Sequence, residues 1–491
     1  MHEQTEQCLR AVQAKDARFD GWFFIAVVTT GIYCRPSCPA VPPKPANMRF
    51  LPSAAAAQLA GFRACKRCRP DASPGSPEWD ARSDLVARAV RLIADGVVDR
   101  EGVPGLSARL GYSRRQLERL LLAELGAGPL GLARAQRAQT ARLLIETTDL
   151  GLADVALAAG FGSVRQFNDV VREVFATTPG DLRARARRAD AAPPGTIVLR
   201  LPFRKPLWPD NLFGHLAATA VPGVEEWRDG AYRRTLRLPH GTGVVGLAPT
   251  PDHVVCRLAL TDLRDLSVAI ARCRRLLDLD ADPEAVDAQL AEDAFLAPLV
   301  AKAPGRRVPR TVDEQEMALR AVLGQQVSTR AARTHAARLV TALGEPVEDP
   351  GGGLTRLFPS AAAIAAVDPA ALAFPQSRRR TLLELAAALA GGRIDLDPGA
   401  DRATARAQLR AVPGVGPWTV ETIAMRALGD PDAFLATDLG VVQLAGKLGL
   451  PTGAGLVAHA ERWRPWRAYA VQHLWAVGDH PVNSLPSEGA A

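Results

Sequence analysis

The chain has 491 residues, 47% hydrophobic and 23% charged, with 60 Lys plus Arg against 52 Asp plus Glu and a net charge of +8. That length predicts about three domains, and that composition a sizeable core, excluding wholesale disorder. Seven cysteines are too few for a disulfide-stapled scaffold, and no apolar run reaches the roughly 18 residues needed to span a bilayer. The basic balance, with a pI near 9.4, permits a polyanionic partner without requiring one. The opening MHEQTEQCLRAVQAKDARFDG carries acids and no apolar centre, so no signal peptide and no membrane partner are expected. A reducing, cytoplasmic location follows, and there clustered cysteines read as metal ligands.

Pro, Gly and small polar residues concentrate at 70–78 (PDASPGSPE), 186–196 (ARRADAAPPGT) and 344–353 (GEPVEDPGGG). The first two read as linkers. Helical periodicity resumes after the third, which reads as a loop inside a domain. The block between the linkers is helical throughout. From 196 to 261 the texture turns to β, with TIVLRLPF, YRRTLRLPH and HVVCRLAL alternating as half-buried strands. From about 284 it is helical again. The predicted fold is therefore multidomain and mainly α with α+β parts.

Cys34 and Cys38 stand as C-x3-C in GIYCRPSCPA, and Cys65 and Cys68 as C-x2-C in GFRACKRCRP. Two such pairs about 30 residues apart suit one tetrahedral Zn2+. Taken alone, a four-thiolate site also serves as a clamp that only folds a small domain. Its setting, YCRPSCPA followed by NMRF and GFRACKRCRP, resembles the N-terminal zinc domain of the Ada-type regulators, over roughly residues 5–75. The resemblance implies that Cys34 accepts a methyl group from a methyl phosphotriester in DNA. Zinc keeps such sulfurs as thiolates, the nucleophilic form. Four thiolates around Zn2+ sum to about −2, so one methylation removes a negative charge and eases binding to DNA. Arg35, Lys66, Arg67 and Arg69 lie beside the ligands as candidate phosphate contacts. Cys8, Cys256 and Cys273 have no partner spacing and read as ordinary thiols.

LSARLGYSRRQLERLLLAEL (106–125) reads as a short helix, a turn at Gly111-Tyr112 and a longer helix capped by Ser113. LADVALAAGFGSVRQFNDVVREVF (152–175) repeats the pattern, with a turn at Gly160-Phe161 and a cap at Ser163. The first long helix is expected to bury Leu117, Leu120 and Leu121 and to present Arg114, Arg115, Gln116 and Arg119. The second is expected to bury Val164, Phe167, Val171 and Val174 and to present Arg165, Gln166, Asn168 and Arg172. Arg with Gln or Asn on one helix face suits bidentate base contacts in a major groove. The closing GFGSVRQFNDVVREVFATTPGDLR resembles the signature of AraC-type regulators over 83–186, which implies recognition helices at about 114–125 and 164–175, and RNA polymerase as a partner. Zinc domain followed by AraC-type domain is also the Ada order.

Ada proper continues into a domain with a Pro-Cys-His-Arg methyl acceptor, and no such motif occurs here, so that activity is expected to be missing. Instead LRAVPGVGPWTVETIAMRAL (409–428) places Gly414 and Gly416 in a turn between two helices, the pattern of a helix–hairpin–helix, in which backbone amides meet a phosphate. A monovalent cation at the hairpin carbonyls is common in such motifs. Asp438 follows Trp418 by twenty residues in DAFLATDLGVV. With AVLGQQVSTRAA (321–332) and LRLPFRKPLWPDNLFGHLAATAVPGVE, this resembles the AlkA-type 3-methyladenine DNA glycosylases II over about 195–480. The resemblance implies Asp438 as the catalytic carboxylate, Trp418 where glycosylase-lyases carry Lys (hence a monofunctional hydrolase), and Gln326 at the position of an apolar wedge. Thr422 stands where the family has an aromatic residue, and Trp208 and Phe213 are further pocket candidates.

The predicted domains are 1–75 (zinc methyl acceptor), 80–187 (double helix–turn–helix), 195–283 (AlkA-type N-terminal α+β) and 284–480 (helix–hairpin–helix glycosylase). The predicted whole is a nucleoid-associated monomer that senses methyl phosphotriesters in double-stranded DNA, activates transcription and excises alkylated purines. Two alternatives stay open. One is a regulator whose glycosylase-like half binds DNA without cutting. The other is a repair enzyme whose zinc domain only docks on DNA.

Overall fold

A computed structural model describes residues 2–70, 84–185, 195–372 and 375–486. The two predicted linkers lie largely outside the described residues. Contacts divide the chain into two compact units: Met1–Arg204 with Leu238–Gly241 and Leu260–Ala271, and Lys205–Arg237 with Thr242–Ala259 and Arg272–Ala491. The cysteine-bearing segment and the helix–turn–helix segment thus share one unit. Among the described residues no helix is long and apolar enough to cross a membrane.

The first unit opens with a four-stranded sheet of β1 (Phe24–Val27), β2 (Ile32–Cys34), β3 (Met48–Leu51) and β4 (Arg63–Ala64), in the order β3-β1-β2-β4. β1 pairs antiparallel with β2 and β3, whereas β4 runs parallel to β2. Phe23, Ile25 and Val27 pack against Cys8, Ala11 and Val12 of the helix Thr5–Gln13, a core too small to need more than one helix and one sheet face.

Helices follow from Leu85 to Arg185, the stretch Val97–Leu110 being two helices that meet at a kink at Gly102. The two long helices span Arg114–Leu125 and Val164–Phe175, and Ser113 and Ser163 accept the N–H of Gln116 and Gln166 as their caps. Gly111 and Gly160, both at positive φ, close the turns before them, where an L side chain is disfavoured. Leu117, Leu121 and Leu125 are buried on the first, with Leu120 partly so. The predicted stripe on the second needs one correction. Val164 is 44% exposed, and Val170 and Phe175 join Phe167, Val171 and Val174 in the core. As the first helical residue, Val164 leans toward the helix N-terminus and away from the packed face.

The helix Ala54–Leu59 lies against this bundle. Ser53 caps it and also donates to the Leu125 carbonyl at 2.7 Å. A Cβ on Gly126 would stand 2.8 Å from that of Ala56. Arg69, directly after Cys68, pairs with Glu146 at 2.5 Å. The unit ends its main run with β5 (Thr196–Pro202).

In the second unit β6 (Glu225–Arg228), β7 (Ala231–Arg237), β8 (Thr242–Pro249) and β9 (His253–Leu260) are successive neighbours. β7 and β9 were legible as alternating runs. β6 and β8, with EEWR and TGVVGLAP, were not. The helices from Pro283 onward surround one large core that includes Leu319, Leu385, Ile423, Trp463 and Leu474. Residues 344–360 form no helix or strand, as expected of a loop.

One buried ionic cluster ties β6 and β7 to the helix Glu314–Leu323. Arg234 bonds Glu316 at 2.7 Å and Glu225 at 3.3 Å, Arg320 bonds both acids, and the Tyr232 hydroxyl donates to Glu225 at 2.5 Å. Burial raises the Glu225 carboxyl, and the facing charges of Arg320 and Arg234 outweigh it, holding the group down at about 2. Because the folded value is depressed from 4.5, the stabilisation is complete above the unfolded value and disappears as pH falls from there toward about 2. Replacing Glu225 with Gln leaves two buried guanidinium groups short of a counter-charge and is expected to cost about 3–5 kcal/mol. Urea unfolding at pH 7 measures that loss, and the variant's stability should fall less between pH 4.5 and pH 2 than that of the parent chain.

Candidate functional sites

The parallel pairing of β2 with β4 puts Tyr33 opposite Ala64, so the next residues, Cys34 and Cys65, emerge side by side. A turn closed by Cys38 N–H to the Arg35 carbonyl brings Cys38 back, and Cys68 follows Cys65 by three residues. The loop between Cys34 and Cys38 is held by buried Asp20, which accepts the amide and hydroxyl of Ser37 and pairs with Arg35 at 3.1 Å. All four Sγ atoms lie within 4.8 Å of one another. A tetrahedron with sulfurs about 2.3 Å from its centre has edges of roughly 3.8 Å, so the cage matches Zn2+. Such crowding makes the thiols interdependent. A hydrogen bond with Cys38 drives Cys34 up, while bonds with Cys34 pull Cys65 far down and Cys38 to about 7. A cation is what lets all four be thiolates at once.

Of the four cations beside this centre, Arg35 and Arg69 are engaged by Asp20 and Glu146. Lys66 and Arg67 are exposed. On the two long helices Arg114, Arg115, Arg119, Arg165 and Arg172 are all exposed and make no ion pair among the described residues. Gln116 is exposed and Asn168 half-buried. Gln166 is spent partly on local structure, its side-chain oxygen accepting the Gly162 N–H at 3.2 Å. Cys256 and Cys273, which looked unrelated in sequence, come together: their thiols hydrogen-bond, and with burial this pushes Cys256 far up.

In the second unit the helices Arg402–Arg410 and Pro417–Arg426 flank the predicted hairpin. Gly414 has φ +86°, and a Cβ there would lie 2.0 Å from Thr381 Oγ1. Gly416 is the N-cap, with open space where a Cβ would be. The Gly414 carbonyl, one of the oxygens where a cation was expected, accepts Gln325 Nε2 at 3.0 Å, and the same amide donates to Thr419 Oγ1 at 2.9 Å. The loop before the helix Thr329–Leu343 is thereby fastened to the hairpin. Its next residue, Gln326, is exposed and held at φ +52°, a backbone state uncommon for a non-glycine residue.

Asp438 caps the helix Leu439–Lys447. Its Oδ1 accepts the Val441 N–H at 2.9 Å and Trp475 Nε1 at 3.0 Å, and its Oδ2 accepts Trp418 Nε1 at 2.8 Å. Gly440 allows this closeness, because a Cβ there would stand 3.1 Å from Oδ1 and 3.5 Å from the Trp475 ring. Asp438, Trp418, Trp475 and Thr422 line one cleft of about 640 Å³, with His215 and Arg426 also on its wall. Trp475 was missed in the sequence. It lies 37 residues from Asp438, in HLWAV, with no motif around it.

Two predicted pocket residues are not at this cleft. Phe213 is fully buried and packs edge-on against Trp227, with ring centroids 6.0 Å apart. Trp208 precedes the helix Pro209–Ala218 as its N-cap and bridges to Arg306.

Residues 7–71 match the family described as metal binding domain of Ada, 106–185 a helix-turn-helix domain, and 198–313 the AlkA N-terminal domain. The chain is 64% identical over 492 residues, covering 99% of both sequences, to the "Probable bifunctional transcriptional activator/DNA repair enzyme AlkA" of Mycobacterium tuberculosis. It belongs to the bifunctional Ada/AlkA family. The chain is also 34% identical over 269 residues to DNA-3-methyladenine glycosylase 2 of Escherichia coli, covering 54% of this chain and 92% of that one. In fold it is similar to the 3-methyladenine DNA-glycosylase from Archaeoglobus fulgidus, with TM-score 0.50 and 22% identity, over 57% of this chain and 97% of that structure. Within this family the four-cysteine cage is a zinc site, held by Cys34, Cys38, Cys65 and Cys68.

Zinc removal has a definite expected consequence. The sheet holding the cage has only a small core, so chelation should unfold residues 2–70 while leaving the second unit folded. Hydrogen exchange should show protection lost in β1–β4 and kept in the helices from Pro283 to Trp475.

Proposed function

We propose that the chain couples a stoichiometric methyl-phosphotriester sensor and transcription activator to a monofunctional glycosylase for alkylated purines. The observation that carries the glycosylase half is the Asp438 carboxylate, gripped by two indoles and a helix N-terminus on the wall of a cleft large enough for a base. A base extruded from duplex DNA enters the cleft, and Trp418 offers it an aromatic face. As the N-glycosidic bond breaks, the bonding electrons leave with the base and positive charge grows on the deoxyribose. The fixed carboxylate stabilises that charge, and water completes the sugar at C1′. No amine occupies the hairpin position of Trp418, so no covalent imine with the sugar forms. Gln326, exposed on its pinned loop, fills the gap left in the duplex, and the amides of the helix Pro417–Arg426 meet a backbone phosphate.

In the sensor, Sγ of Cys34 attacks the methyl carbon of a methyl phosphotriester. The C–S bond forms as the O–CH3 bond breaks, and a phosphodiester anion departs. Zinc supplies the conditions for this by keeping the sulfur deprotonated. The neutralised thiolate lowers repulsion from DNA, Arg114, Arg115, Arg119, Arg165 and Arg172 engage a promoter, and RNA polymerase is recruited by a cytoplasmic, monomeric protein. The short, direct ties from the cage to the helical bundle, Ser53 to Leu125 and Arg69 to Glu146, support a sensor that acts on the promoter-binding helices.

Replacing Asp438 with Asn removes the charge and leaves one acceptor oxygen where the carboxylate offered two, so only one of the two indoles keeps its bond. Release of 3-methyladenine from methylated DNA should fall by at least about a hundredfold, with DNA affinity retained; release at the parental rate refutes the assignment. Peptide mass spectrometry after incubation with DNA bearing methyl phosphotriesters should find one added methyl on the peptide carrying Cys34, and in a reporter strain Cys34→Ser should abolish induction by a methylating agent.

A further inference from the structure

Two polar atoms in the cleft region have no partner among the described residues: Nε2 of His215 and Oγ1 of Thr422. Their residues are 9% and 8% exposed, and both line the cleft with Trp418 and Asp438. Buried polar atoms left unpaired destabilise a fold, and native structures rarely keep them without a reason. Neighbouring polar groups of the same wall are spent: Asp438 on the indoles, Arg320 on Glu225 and Glu316, Arg333 on the Ala220 carbonyl. Thr422 is unusual even as a helical threonine. Thr140 and Thr381 return their hydroxyls to the carbonyls of Gln136 and Ser377, four residues back, whereas Thr422 leaves that bond unmade. One turn beyond Trp418, it shares the face of the helix that carries the indole.

The surroundings decide what this pair can read. Burial, then the charges of Arg426 and Arg320, hold His215 well below its ordinary value, so the imidazole is neutral and Nε2 can carry a proton as a donor. Arg426 also lines the cleft and gives its Nε–H to the Pro309 carbonyl. Donors and positive charge thus collect on one wall, which suits an acceptor oxygen and opposes an amino group.

We propose that His215 Nε2 and Thr422 Oγ1 donate to the exocyclic oxygen of an extruded alkylated 6-oxopurine, making them specificity-determining residues that favour methylated guanine over methylated adenine. This rests on the glycosylase reading above. An amino group at the same place is opposed by the charge of Arg426, and it requires the Thr422 hydroxyl to accept instead of donate and His215 to take its other tautomer.

The test compares kcat/KM for release of 7-methylguanine and of 3-methyladenine from methylated duplex DNA, using the full zinc-loaded chain. Thr422→Val, which keeps the shape and removes the hydroxyl, should lower 7-methylguanine release about tenfold and 3-methyladenine release much less, with a melting temperature at or above the parental one. His215→Leu should change the ratio in the same direction, and Thr422→Ser should restore it. The inference is overturned by a ratio that stays parental in both Thr422→Val and His215→Leu. It is equally overturned by equal loss of both activities with a lowered melting temperature, which marks a structural threonine. If the parental chain releases neither base, the glycosylase reading itself falls and takes this one with it.

Discussion

The grip on Asp438 is the constraint around which the second unit is arranged. Its two oxygens receive three N–H groups, from the helix Leu439–Lys447, from the hairpin helix through Trp418 and from the helix Arg467–Trp475 through Trp475. Each donor arrives on a different element, so the carboxylate cannot hold its place unless all three are packed correctly. The buried apolar residues that fix those elements, among them Val420, Ile423, Val441, Val471 and Leu474, act on the site through this geometry. Capping and chemistry do not compete here. The bond to Val441 N–H uses one lone pair of Oδ1, and the cleft-facing side of the carboxylate is oriented by the indoles.

The zinc cage rests on a different constraint, strand register. Parallel pairing of a three-residue strand with a two-residue strand is weak by itself, yet it sets Cys34 beside Cys65. Metal and register support each other, because the ion ties together strands too short to persist alone, and the strands present sulfurs at the spacing the ion needs. The arrangement also leaves Cys34, at a strand end, and Cys38 half-buried, whereas Cys65 and Cys68 are buried. Exposure therefore separates two approachable sulfurs from two enclosed ones, and the choice of Cys34 over Cys38 rests on the family resemblance.

What was legible in the sequence follows from the range of the interactions involved. Caps at Ser113 and Ser163, turns at Gly111 and Gly160 and the bounds of both long helices are set within a few residues, and the pattern found them. The cysteine pairs were equally plain, since metal spacing is a local signature. Trp475, Gln325 and the meeting of Cys256 with Cys273 were not, because each depends on segments brought together from afar. Phe213, a pocket candidate whose commoner role at such a spacing is core, is fully removed from solvent and packs on Trp227, a contact that sequence does not display. Val164 failed at a helix start, where periodicity continues but the neighbouring element does not.

The cleft is polarised in a way that bears on the chemistry proposed for it. The carboxylate of Asp438 sits with Trp418 and Trp475, while Arg320 and Arg426 are the charges felt at His215. Burial lowers Arg426 to about 10, still well above neutral pH, so the guanidinium remains charged. Glu225 and Glu316 compensate Arg320, leaving Arg426, bound to a carbonyl, as the less compensated of the two. In N-glycosidic cleavage electron density moves from sugar to base. A negative group beside the sugar and positive groups beside the base oppose neither end of that movement, and both are fixed before the substrate arrives. The ionic cluster that joins the sheet to the helix Glu314–Leu323 thus neutralises its own arginines, and the positive character of the cleft wall rests on Arg426, which lies outside that cluster.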